Sequence, residues 1–351
     1  MVRRSVLAMF AALAIVLGCV VVSTPADAVV DTAVVVSSPN AGTGNNVLLS
    51  VSCVSVSSCV AVGFTNTDSV DQTLVEVWDG AVWSIVSSPN VGIVSNYLNS
   101  VSCVSVSSCV AVGYTNTDLG NETLVMVWNG TVWSVVSSPN AGTDVLLSVS
   151  CVSVSSCVAV GYTKTDSVFE TLVMVWNGTV WSIVSSPNAG TIVDLLYSVS
   201  CVSVSSCVAV GYINTDSVFE TLVMAWDGSV WSIVSSPNAG TIVDLLYSVS
   251  CVSVSSCVAV GYTNTDLGNE TLVMVWNGTV WSVVSSPNAG TIDDELYSVS
   301  CASVSSCVAV GSTDTGFNVY ETLVLSLTGP VPPTTTTTTV ASGQVVPAFT
   351  G

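Results

Sequence analysis

The chain has 351 residues, half of them hydrophobic, with three basic residues, 23 acids and no histidine, for a net charge of −20. Nucleic acid is excluded as a partner, because its binding rests on neutralising phosphates with Lys and Arg, and an anionic membrane surface is disfavoured for the same reason. Without histidine, Ser-His-Asp, Cys-His and zinc-hydrolase schemes lack their base or ligand.

Residues 1–28 read as a secretory signal. Arg3 and Arg4 precede the apolar run "VLAMFAALAIVLGCVVV", and "ADA" at 26–28 offers small residues for cleavage after Ala28. The alternative is a lipoprotein signal, with "VLGC" at 16–19 presenting Cys19. The protein is therefore expected to be secreted or extracellular, associated with the cell surface in some settings, and not inserted in a membrane once the signal is cut. No later segment resembles a span. Export leaves Lys164 as the one basic side chain.

From residue 29 to 329 the sequence repeats. "SCVSVSSCVAVG" stands at 52–63, 102–113, 150–161, 200–211 and 250–261, and with one change at 300–311. A unit near 50 residues marks a solenoid, propeller or array. The copy at 246–292 divides into strands a "LYSVSC", b "CVAVGYT", c "TLVMVWN" and d "TVWSVVSS". An Asn-Gly or Asp-Gly between c and d predicts a type I′ hairpin. A polar stretch, "TNTD…E", separates b from c, and "SSPNAGT" separates d from the next a. Strand c has no polar face: Leu272, Met274 and Trp276 alternate with Val273 and Val275. Strands buried on both faces read this way. Four-stranded antiparallel meanders stacked on both faces make a β-propeller.

The first repeat-like residues, "AVVVSSPN" at 33–40, match strand d, whereas the last repeat stops after strand c at 321–329. The expected fold is thus an all-β, six-bladed β-propeller of four-stranded antiparallel blades. Its N-terminal strand closes the last blade. Ala33 and Leu327 both stand where other copies carry Trp, so both losses would fall on that blade. "CVAVG" at 59–63 followed by "TLVEVWDGAVW" at 73–83 resembles a kelch-type unit. It is similar to the galactose-oxidase-central-domain-like propeller repeats of secreted bacterial proteins. The second Gly of that family's strand is replaced here by Phe64, Tyr or Ser, and its third-strand Tyr by Trp78. The resemblance implies a propeller and no particular activity. A copper oxidase on such a ring would need His ligands, and a sialidase would need arginines.

Beyond Cys19 there are twelve cysteines in six pairs: Cys53 and Cys59, Cys103 and Cys109, Cys151 and Cys157, Cys201 and Cys207, Cys251 and Cys257, Cys301 and Cys307. In an exported chain these read as disulfides across the a–b hairpin. Free thiols and a metal site remain as alternatives, although Cys-x5-Cys is wide for zinc and histidine is absent.

The acids concentrate between b and c and between d and a, which emerge on one side of a meander. Asp118, Glu122, Asp166, Glu170, Asp216, Glu220, Asp266 and Glu270 are the candidate cation or partner face, with Asp68, Asp71, Asp314 and Glu321 between b and c, and Asp144, Asp194, Asp244, Asp293, Asp294 and Glu295 between d and a, on the same side. Such a field would steer a basic partner. "NTDLGNE" at 116–122 would also suit Ca²⁺, though it is not an EF-hand loop; no other cofactor is expected. The alternative is a solvated surface that binds nothing. Sequons occur at Asn121, Asn129, Asn177, Asn269 and Asn277, three of them at the c–d turn. The segment 330–351, with its Pro and Thr run, reads as a disordered stalk. The functional expectation is a monomeric, non-catalytic binding or scaffold module engaging an unidentified protein or carbohydrate. A carbohydrate-active enzyme using loop carboxylates and a ligand-free structural spacer are the alternatives.

Overall fold

The computed structural model describes residues 36–328 except 43, 241, 267, 290–292 and 315–319. The chain separates into Met1–Ser37 and Ser38–Gly351. The expected signal at 1–28, the first residues of the closing strand at 29–35 and the stalk at 330–351 lie outside the described residues.

Each repeat folds into an antiparallel meander. In the first, strand a is Asn46–Ser55, b is Ser58–Thr67, c is Val70–Trp78 and d is Trp83–Ile85. The same a-b-c-d order recurs in the next four copies, and the sixth has three described strands, Asp294–Ser303, Ser306–Asp314 and Tyr320–Thr328. The third and fourth meanders are also joined through one parallel contact, Phe169 beside Val193. Strands a to c are longer than the sequence suggests, because the polar residues between b and c belong to the ladder. Thr115 pairs with Glu122 and Thr163 with Glu170.

The turns exchange roles relative to expectation. The c–d connection is not a type I′ hairpin: Trp128 pairs with Trp133, so four residues bridge the strands, and only Gly130 has positive φ. The Asn129 side chain instead accepts hydrogen bonds from the backbone N–H of Thr131 and Val132 at 2.9 and 3.0 Å. The positive-φ pair sits between b and c, at Asp68-Ser69 and Asp216-Ser217. Asp tolerates that region because its short side chain bonds locally, and both central residues of a I′ turn need it.

Packing between meanders explains the composition. Thr-Leu-Val-Met of strand c is buried throughout in the second to fifth copies. At the junction of the second and third meanders, Val110, Val112 and Val125 meet Leu146, Val149, Ala159, Leu172, Met174 and Trp181. Equivalent residues recur at the other junctions between consecutive meanders, and the last keeps the Val and Leu positions with Leu325 in place of Met and without the Trp. Burying one Leu or Met side chain stabilises by about 1.5–3 kcal/mol. The serines of "SVSC" have a separate task. Strand a of each meander lies beside strand a of the next, and Ser hydroxyls accept backbone N–H bonds across that boundary. Val199 donates to Ser148 and Cys201 to Ser150, at 3.2 and 3.1 Å, and equivalent pairs bridge the other four junctions.

Among the described residues, no such core or serine bridge joins the sixth meander to the first. Leu48 is 41% exposed where Leu98 is 0%, and Val324 is 63% exposed where Val273 is 0%. Leu48, Leu49, Val51, Glu76 and Ser298 line an opening of about 500 Å³ there. The expected closing strand does not reach the sixth meander through its described residues. Ser38 would cover Thr322 by analogy with Ser88 over Thr73, yet its hydroxyl donates to Glu76 at 2.9 Å and Thr322 is exposed. The physical reason is local: Glu76 stands where the second to fifth copies have Met and is only 1% exposed, and a buried carboxylate demands a donor.

Candidate binding face

The b–c turns and the d–a connections lie side by side. The backbone N–H of Asn66 reaches Asn45 O at 2.7 Å, and that of Asp71 reaches the Ser95 hydroxyl at 3.1 Å. Asp118, Asp166, Asp216 and Asp266 are exposed at the turn tips. Glu122 and Glu170 are exposed and Glu220 and Glu270 half-buried, all four on strand c rather than in a loop. Asn238 donates to Glu220 at 3.1 Å and the Thr265 hydroxyl to Glu270 at 3.3 Å.

Four of the d–a aspartates do not belong to the exposed field, whereas Asp293 and Glu295 are half-buried. Asp144, Asp194, Asp244 and Asp294 are all buried. Asp194 accepts from the backbone N–H of Ala189 and Gly190 at 2.8 and 3.0 Å, and Asp244 from Ala239 and Gly240 at 2.9 and 3.0 Å. Asn46 and Asn96 receive Ala41 and Val91 N–H in the same way. An uncharged amide serves equally well, so this position needs an acceptor and not a charge. Among the described residues, no group of three or more acidic or sulfur side chains converges to hold a metal ion.

Aromatic rings stand among the exposed acids, and the sequence reading passed over them. Strand a carries a bulge after Leu196, and its extra residue is Tyr197; Tyr247 is the extra residue in the next copy and Tyr297 in the sixth. The rings of Tyr197 and Tyr247 lie 5.0 Å apart, and those of Tyr247 and Tyr297 5.9 Å apart. Tyr212 and Tyr262 on strand b join them at 5.8 and 5.9 Å. Burial pushes these phenols above their ordinary value, reinforced around Tyr262 and Tyr297 by the carboxylate of Glu295. Tyr97, which donates to Asp71, is pushed up to about 12, first by burial and then by that carboxylate. The signal was available: Tyr precedes "SVSC" in three successive copies. Lys164 sits on this face with its Nζ 5.0 Å from the centre of the Phe169 ring.

The cysteine pairs lie at the other end of the strands. Cys201 faces Cys207 directly across a and b, with Cα atoms 4.0 Å apart, and all six pairs are joined as disulfides. Beyond them the surface carries exposed valines such as Val204 and Val230. No helix among the described residues is long and apolar enough to cross a membrane.

No protein-family model matches the sequence, and no curated protein matches it. Solved structures do match the fold. A GH74 xyloglucanase from Xanthomonas campestris is 10% identical with a TM-score of 0.52, over 76% of this chain and 45% of its own. YCF48 bound to D1 peptide is 12% identical with a TM-score of 0.47, over 78% of this chain and 80% of its own. The WD40 propeller domain of Doa1 is 12% identical with a TM-score of 0.41, over 78% and 92%. The fold is an all-β propeller with antiparallel four-stranded blades. At these identities the likeness shows the fold alone.

Proposed function

We propose that this is an exported, non-catalytic binding module that engages a basic protein partner through the b–c face. The observation that carries the reading is the set of exposed Asp118, Asp166, Asp216 and Asp266 at successive turn tips, with Lys164 the one basic side chain among the described residues. Like-signed acids repeated along one face attract and orient a cationic surface. They recur from copy to copy, which supports binding by many weak contacts over catalysis by one acid pair. The same reading takes the six meanders as six blades. The kelch-type character of the repeat and secretion belong to it too; the six disulfides are consistent with an oxidising compartment.

Titration with a hexalysine peptide tests it. The wild-type chain binds and loses affinity as salt rises, and the D118N/D166N/D216N/D266N variant binds at least about tenfold more weakly, since each charge near a cation contributes a few tenths to 1 kcal/mol. Equal binding by both proteins overturns the reading. Ca²⁺ is the second candidate ligand of the same acids, and an unchanged melting temperature at millimolar calcium removes it.

A further inference from the structure

We propose that Tyr247, Tyr262, Tyr297 and Glu295 form a receptor for a single arginine side chain of the partner. This deepens the reading of the acidic face and rests on it. The site breaks the repeat. Position 295 is Leu, Val or Tyr in the other copies that extend strand a, and position 312 is Tyr or Phe where the sixth copy has Ser. The result is one carboxylate set among three phenol rings, with the small Ser312 where the fourth ring would stand, its hydroxyl 3.0 Å from that of Tyr297.

Glu295 is fixed. Its Oε1 accepts from the Asn269 amide at 2.6 Å and its Oε2 from the Tyr297 hydroxyl at 2.9 Å. Two acceptors with about four lone-pair directions keep capacity for the fork of a guanidinium after those two bonds. The Tyr297 ring is 46% exposed and tilted 53° to Tyr247, so its face is open. A comparable group, Asp71 with Phe64, Tyr97 and Tyr114, lacks that opening, because Tyr97 and Tyr114 stack at 4.7 Å and 20° and cover one another's faces. Within the third copy a cation already rests over an aromatic ring, Lys164 over Phe169, which shows the same pairing of charge and ring within this chain. Arginine is favoured over lysine because its planar guanidinium stacks on a ring and forks onto a carboxylate at once. Asp293 lies within the same connection, its carboxylate accepting from the backbone N–H of Asn269 at 2.8 Å, so the field around the pocket is anionic.

The test compares hexaarginine with hexalysine on the full chain and on three variants of unchanged thermal unfolding. Wild type binds hexaarginine more tightly. Tyr297→Leu loses that preference, weakening hexaarginine about three- to fivefold with little effect on hexalysine, whereas Tyr297→Phe keeps it. Glu295→Gln weakens both peptides and hexaarginine more. If both peptides bind wild type but Tyr297→Leu and Glu295→Gln bind hexaarginine as wild type does, the receptor is wrong and the acidic face stands. If neither peptide binds wild type, the acidic face falls and the receptor with it.

Discussion

A serine in strand a of this chain does two things that no local pattern announces. It keeps the inner strand narrow, and its hydroxyl takes up the N–H of the neighbouring meander, as Ser148 and Ser150 do for Val199 and Cys201. Each serine removed leaves a donor without its partner, a cost of about 1–3 kcal/mol where the group is buried. Ser148→Ala together with Ser150→Ala should therefore lower the urea midpoint clearly; an unchanged midpoint would mean that water replaces the hydroxyls. Glycine at the end of strand b has an equally specific cause. A Cβ on Gly211 would stand 1.8 Å from the backbone oxygen of Leu195, so Gly211→Ala should destabilise by about 1–3 kcal/mol through overpacking, read by the same unfolding curve. The tyrosines give a pH dependence. Their folded pKa lies above the unfolded value of about 10, up to about 12 for Tyr97. The stability they contribute is complete below pH ~10 and is lost as pH rises through the folded value. Tyrosinate absorbance should lag that of the urea-unfolded chain across this window; coincident curves would contradict the burial seen here.

At the scale of elements, strand c was fully legible, because a run such as Thr-Leu-Val-Met with no polar alternation has only a doubly buried solution, and it is buried. The turns were misread for a physical reason. Asn-Gly favours a I′ turn only if two residues close the ladder, whereas the facing Trp128 and Trp133 hold the strands four residues apart and leave Asn129 to bond backbone N–H groups. That bond also occupies three of the sequon asparagines. The disulfides staple the hairpin at its far end from the acidic face. With partners six positions apart in the chain, each constrains a short loop and contributes about 2 kcal/mol. Cys201→Ser with Cys207→Ser should cost about that amount, and the b–c face should keep its peptide affinity. Loss of binding without loss of fold would show that the two ends of the meander are coupled.

At the scale of the whole molecule, the sixth meander and the first stand apart from the rest. The residues at the boundary between them differ from those at every other junction: Glu76 stands for Met on one side, and Ser326 for Val or Ala on the other. The edge at Thr322 and Val324 is exposed, and a free edge of this kind is open to pairing with another strand.

The sequence by itself determined the repeat, the strand order, the cysteine pairs and the need for faces buried on both sides, because these follow from spacing and from hydrophobic pattern over a few residues. Tertiary structure decided which acids are charges in water and which are acceptors under a loop, and it gathered Tyr247, Tyr262, Tyr297 and Glu295 from two different copies. Those outcomes depend on a bulge in strand a and on which meander lies next to which, and neither is encoded within any single stretch of chain.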